Sequence, residues 1–140
     1  MRALQKNSDD FTHTGVVVGT DANDVRVAHA CPIKPAMVRI DRLSHLLALP
    51  EITSAAIYRP RVDKRAALEA AAIAQQYANR KTPFDGDFRL TDDNAVYCTE
   101  LVWICYRKAG LEVATADRVL FPAELLSGDF FESVAVVQSE

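Results

Sequence analysis

Tyr97-Cys98-Thr99-Glu100-Leu101-Val102-Trp103-Ile104-Cys105-Tyr106-Arg107-Lys108-Ala109-Gly110 is the stretch on which the fold turns. Leu101, Val102, Cys105 and Ala109 recur at helical spacing, so one stripe of a helix faces a core. Arg107 and Lys108 fall in the last turn, where cations suit the negative end of the helix dipole. Gly110 follows as a C-cap. The polar run Thr91-Asp92-Asp93-Asn94 leads in, rich in residues that favour turns and helix starts. Cys98 then occupies the first helical turn. A thiol there meets the positive end of the dipole and unpaired backbone N–H groups, which favour the thiolate and can stabilise an oxyanion. Cysteine is also among the most buried residue types, and a lone cysteine on a helix is more often packing than chemistry. Cys105, seven residues on along the same face, takes that packing reading. For Cys98 the rest of the chain decides, because a nucleophile needs a base.

The chain has 140 residues, enough for a single domain (1–140) with a real core and too few for two. A formal net charge of −3 with no basic cluster argues against nucleic acid and anionic membrane surfaces as partners. Cys31, Cys98 and Cys105 are an odd count with no CxxC pair. They give no disulfide framework, and reduced thiols suit the cytosol. No apolar run approaches a membrane span, and residues 1–10 lack the apolar core of a signal peptide. With Met1 as the natural start, the expectation is a cytoplasmic protein with no integral membrane segment. No repeat or low-complexity segment is visible.

In chain order, residues 1–12 are polar and read as a short irregular arm. Thr14-Gly15-Val16-Val17-Val18-Gly19 is a β-branched run that His13 opens. Asp21-Ala22-Asn23-Asp24 is a turn. Val25 to Ala30 then pairs back as a hairpin strand, with Val25, Val27 and His29 on one face and Arg26 on the other. Met37 to Ile40 is a third strand. Asp41 is expected to cap a short helix from Arg42 to Leu49, and Ala55 to Arg59 is a fourth strand. Asp63 caps a long helix to about Arg80, whose alanines give it a small-residue face. Lys81 to Val96 is a long loop, of the kind that often carries function. Beyond Gly110, Val113 to Leu120 is ambiguous, Phe121-Pro122 opens a short helix that ends at Gly128, and Ser133 to Val137 is a last strand. The sum is an α+β domain, an antiparallel sheet with packed helices.

Histidine is scarce: His13, His29 and His45. His45 sits among leucines on a short helix and is incidental. His13 begins one hairpin strand and His29 ends the other. A two-residue offset in register brings the rings together on one sheet face. A cysteine at a helix N-terminus packed against that face would complete a nucleophile, a base and a third polar group that fixes the tautomer of the base. A strand-end histidine is nonetheless more often a satisfied structural residue. His13, His29, Cys31 and Cys98 are also possible zinc ligands, but their spacing matches no common zinc pattern. No metal and no cofactor is therefore expected.

Phe11-Thr12-His13-Thr14-Gly15-Val16-Val17-Val18, then Val27-Ala28-His29-Ala30, then Phe84-Asp85, then Tyr97-Cys98-Thr99-Glu100-Leu101-Val102 stand in that order. Together they resemble the circularly permuted branch of the NlpC-type papain-like cysteine hydrolases, closest to the YiiX/YebB-like family, in which His precedes Cys. The resemblance spans Phe11 to about Gly110. It implies a permuted papain-like (NlpC-type) fold, with Cys98 as nucleophile, His13 as base and His29 in the third position, where Glu is frequent. The family's Gly-Asp strand before the His has no counterpart in residues 1–10, and Phe84 stands where Tyr is common. The implied activity is a thiol hydrolase or acyltransferase acting on an amide or ester, with a small peptide or lipid-like acyl substrate. The alternative is a non-catalytic ligand-binding domain that retains the fold.

Overall fold

In the computed structural model of the chain the described residues are 2–7, 10–21, 23–50, 52, 54–61, 64–86, 95–113 and 130–138, with the backbone alone described for 2–7, 10–12 and 137–138. In order they form β1 (Arg2–Asn7), β2 (Asp10–Asp21), β3 (Asp24–Cys31), β4 (Met37–Arg42), α1 (Leu43–Leu47), β5 (Ser54–Pro60), α2 (Lys64–Asn79), α3 (Cys98–Lys108) and β6 (Phe131–Gln138). The strands make one sheet in the order β4-β3-β2-β1-β5-β6, and every neighbouring pair is antiparallel. The fold is the α+β arrangement the sequence predicts. No helix among the described residues is long and apolar enough to cross a membrane.

Strand alternation sorts the two faces of the sheet. Val16, Ala28, Ala30 and Val38 point to one face. They are buried there with Ala70, Ala74 and Tyr77 of α2 and Leu101, Val102 and Cys105 of α3. Val27 and Ala55 point to the other, where Leu43 and Leu46 of α1 cover them. The alanines of α2 explain its close approach, since Ala66, Ala70 and Ala74 are all fully buried. Lys108 Nζ donates to the Tyr77 hydroxyl at 2.9 Å and ties α3 to α2. Burying side chains such as Leu101 and Val102 stabilises the fold by roughly 1.5–3 kcal/mol each.

Two local devices behave as their residue types require. The β2–β3 turn closes on paired Asp21 and Asp24, with Asn23 at φ 69, a conformation asparagine tolerates better than most. Helix α3 ends on Gly110 at φ 92. There Leu111 N–H donates to Tyr106 O and Gly110 N–H to Arg107 O, which satisfies two of the last carbonyls.

Two expectations need correction. Residues 2–7 and 10–12, expected as part of an irregular arm, are strand: β1 lies inside the sheet, where Arg2 is the partner of both Gly15 and Ile57. Arg2–Asn7 holds no β-branched residue, so local propensity gives no strand. Hydrogen-bonding neighbours on both sides supply what propensity does not. This strand also stands where the family's strand before the His was expected to be missing. Asp41, in turn, caps no helix. It belongs to β4, and α1 is shorter than expected, with Arg42 at its N-cap and no side-chain cap there. The carboxylate of Asp24, reaching from the hairpin, instead accepts from Ser44 N–H at 3.2 Å and from the Ser44 hydroxyl. The Asp63 cap, the Thr91–Asn94 run and the helix expected from Phe121 to Gly128 lie outside the described residues.

Candidate active site

The register of the hairpin builds the first half of the site. Val16 faces Ala28 across β2 and β3, so Gly15 lies across from His29. His13 comes two residues earlier on the same face. A Cβ at Gly15 would sit 2.6 Å from Val27 Cγ1, 2.8 Å from Ala28 O and 3.1 Å from His29 Cβ. The missing side chain therefore gives its space to Val27 and His29. The expected two-residue offset is present: His13 Nε2 and His29 Nδ1 are 2.9 Å apart, with the rings edge to face at 5.0 Å. His29 is buried and His13 half-buried.

The other nitrogen of His29 has a partner that sequence reasoning missed. His29 Nε2 lies 2.6 Å from Asp41 Oδ2, and Arg39 Nε donates to the same oxygen at 3.0 Å. Burial works against ionising Asp41. The hydrogen bonds from His29 and Arg39 outweigh it and hold the carboxyl below its ordinary range. The same bond to Asp41 raises the Arg39 guanidinium, against a smaller effect of its burial. A signal for this pair was present in Val38-Arg39-Ile40-Asp41. With Val38 and Ile40 turned to the helices, alternation sends Arg39 and Asp41 to the face of His29.

The second half of the site is the start of α3. Tyr97 is extended (φ −99, ψ 174) as N-cap, and Cys98 is the first helical residue. Tyr97 N–H donates to Oε1 of the buried Glu100 at 3.2 Å. This is one arm of a capping box, with an acid placed at the positive end of the dipole. The first intrahelical bond runs from Leu101 N–H to Tyr97 O, so the N–H groups of Cys98, Thr99 and Glu100 lie ahead of it, at the helix mouth. Cys98 is half-buried, with Sγ 3.7 Å from Thr99 Oγ1.

Strand pairing fixes which end of the sheet the thiol occupies. Phe84 bridges to Val96, and Pro83 bridges to Met37 at the start of β4. Met37 pairs with Cys31 at the end of β3, beside the end of β2 that carries His13. Helix α3 packs on β2 and β3, but its apolar stripe meets the Val16 and Ala28 face, opposite His13 and His29. The expectation that α3 lies against the histidine face is corrected accordingly. Its N-terminal end, not its flank, stands at the histidine end of the strands. The structure joins His13 to His29, and the hydrogen bond it shows for the Cys98 thiol is to Thr99.

Burial pushes the Cys105 thiol up to about 12, Cys31 is buried, and His45 is exposed on α1. Among the described residues no group of three or more His, Cys, Asp or Glu is arranged to hold a metal ion. Both nitrogens of His29 are occupied by hydrogen bonds.

The model of a family described as permuted papain-like amidase enzymes, YaeF/YiiX, matches residues 2–135. Among solved structures, the chain is similar to the crystal structure of metalloprotein yiiX from Escherichia coli. The TM-score is 0.73 and the identity 17%, over 96% of this chain and 94% of that one. At that identity the likeness shows the fold. No curated protein matches the chain.

Proposed function

The chain belongs to the permuted papain-like amidase family, and from that premise we propose that it is a thiol-dependent hydrolase or acyltransferase in which Cys98 is the nucleophile, His13 the base and His29 the residue that orients His13. The observation that carries this reading is the 2.9 Å bond between His13 and His29, on strands at whose end the Cys98 helix begins. His13 takes the thiol proton, and Cys98 Sγ attacks the carbonyl carbon of an amide or ester. The oxyanion that forms is held by N–H groups of the first turn of α3. The C–N or C–O bond breaks, and the leaving amine or alcohol takes the proton from His13. A thioester remains on Cys98. Water, deprotonated by His13, then attacks the thioester, releases the acid and restores the thiol. In acyl transfer an acceptor amine or hydroxyl takes the place of water.

The substrate is a small peptide or lipid-like acyl compound. The similar solved structure is of a protein described as a metalloprotein; among the described residues of this chain no group of three or more His, Cys, Asp or Glu is arranged to hold a metal ion. No step here runs through one.

Stopped-flow hydrolysis of p-nitrophenyl acyl esters tests the proposal, with intact-mass analysis of the quenched protein. A burst of one equivalent and an acyl adduct mapped to Cys98, both abolished in Cys98→Ala, are expected. An adduct on Cys31, or turnover that survives Cys98→Ala, would overturn the assignment. No burst and no adduct would leave a ligand-binding domain.

A further inference from the structure

We propose that Asp41, braced by Arg39, is a positioning residue for this site: it fixes the tautomers of His29 and His13 so that the lone pair of His13 lies on Nδ1. The proposal rests on the assignment of His13 as the base. It follows from counting donors along two contacts. An ionised carboxylate has only acceptors, so the 2.6 Å contact between Asp41 Oδ2 and His29 Nε2 requires a proton on Nε2. A neutral imidazole carries one N–H, so His29 Nδ1 is an acceptor. The 2.9 Å contact to His13 Nε2 then requires the proton of His13 on Nε2. The chain of bonds runs in one direction, from His13 through His29 to Asp41, and leaves the His13 lone pair on Nδ1.

Asp41 is what breaks the symmetry. Two histidines alone satisfy their shared bond equally well in the reverse direction, with His29 Nδ1–H donating to His13 Nε2. The proton of His13 then sits on Nδ1 and the base is blocked. Arg39 has a separate task. When His13 takes the thiol proton, its positive charge makes His29 a stronger donor toward Asp41, and a bare carboxylate could take that proton. The guanidinium on the same oxygen at 3.0 Å opposes protonation of Asp41. The carboxylate therefore works as a fixed charge, not as a proton acceptor. The contacts of Asp41 are to His29 and Arg39, and it acts on the site through His29. In the Ser-His-Asp triad a wrong tautomer of the base itself costs about 10⁴ in kcat. One ring further away, with the reversed chain populated for only part of the time, the expected loss is about 10- to 100-fold.

The test uses the full chain with the ester substrates above. It compares the parent with Asp41→Asn, Arg39→Met and His13→Ala, and adds 15N-resolved spectra of the histidine rings. An Asn at 41 can turn its amide N–H₂ toward His29 and reverse the chain. Asp41→Asn should lose about 10- to 100-fold in kcat with KM little changed, and the His29 proton should move from Nε2 to Nδ1. Arg39→Met keeps the Asp41–His29 bond but makes the carboxylate easier to protonate, so the acid limb of its rate profile should move to higher pH. If His13→Ala abolishes turnover while Asp41→Asn keeps both the parent rate and the parent tautomers, the positioning role is wrong and the base assignment stands. If His13→Ala keeps the parent rate, the base assignment fails and the proposal with it. Should Asp41→Asn not fold, Arg39→Met decides: an unmoved acid limb overturns the role given to the pair.

Discussion

Gly15→Ala is the substitution that most closely links the packing of the sheet to the candidate site. Its Cβ would meet Val27 Cγ1 at 2.6 Å, Ala28 O at 2.8 Å and His29 Cβ at 3.1 Å. Carbon atoms prefer separations of about 3.5–4.0 Å, so relief requires shifts approaching an ångström. Val27 is 1% exposed and has no open space to enter, and Ala28 O belongs to the strand backbone. Overpacking of this kind costs roughly 1–3 kcal/mol. A backbone atom among the contacts argues for the upper half of that range. For a chain of this length the melting temperature should fall by roughly 5–12 °C. The same shift moves His29 away from His13 or Asp41, and a displacement near 1 Å can cost about 10²-fold in rate. Urea unfolding at constant m-value reads the first effect, and the rate of Cys98 alkylation by iodoacetamide reads the second. Gly15→Ala that unfolds within about 0.5 kcal/mol of the parent and alkylates at the parent rate would refute the argument.

Brief iodoacetamide labelling followed by peptide mapping should find Cys98 modified first, with Cys105 inert because burial holds its thiol near 12; faster labelling of Cys31 or Cys105 would contradict the site. His29→Ala should cost less than His13→Ala in ester turnover, because the base survives in a poorer orientation. His29→Gln should recover part of that loss, since an amide still makes one hydrogen bond to His13. Asp41 has its folded value below the ordinary 3.8, so its contribution to stability is present above that value and disappears as the pH falls through the depressed one. Urea midpoints between pH 6 and pH 2.5 should therefore fall more steeply in the parent than in Asp41→Asn, and parallel curves would sink the prediction.

The hairpin, the His13–His29 contact and the first turn of α3 were all legible in the sequence. The period-2 run around Gly15, the turn at Asn23 and the 3.6-period stripe of Leu101, Val102 and Cys105 are each local signals. The central position of β1 was not legible, because nothing in Arg2–Asn7 favours a strand until β2 and β5 are there to pair with it. Asp41 was misread for a related reason. An aspartate just before a leucine-rich run looks like a helix cap, and only the register of β4 against β3, with His29 facing Arg39, shows that its carboxylate is already engaged. The face of the sheet on which α3 lies is likewise a matter of topology. Spacing placed Cys98 at a helix start, but not at the end of the strands where the structure has it.

The pH dependence of Cys98 alkylation in the parent and in His13→Ala reads the nucleophile–base pair itself. The purified protein is labelled with iodoacetamide from pH 4 to pH 10, and modification at Cys98 is followed by mass spectrometry. An imidazolium beside the thiolate stabilises it, so the parent should show a reactive limb at low pH. In His13→Ala that limb should move to higher pH. Superimposable profiles for the two proteins would mean that Cys98 owes its reactivity to the helix end alone, and the nucleophile–base pair would be contradicted.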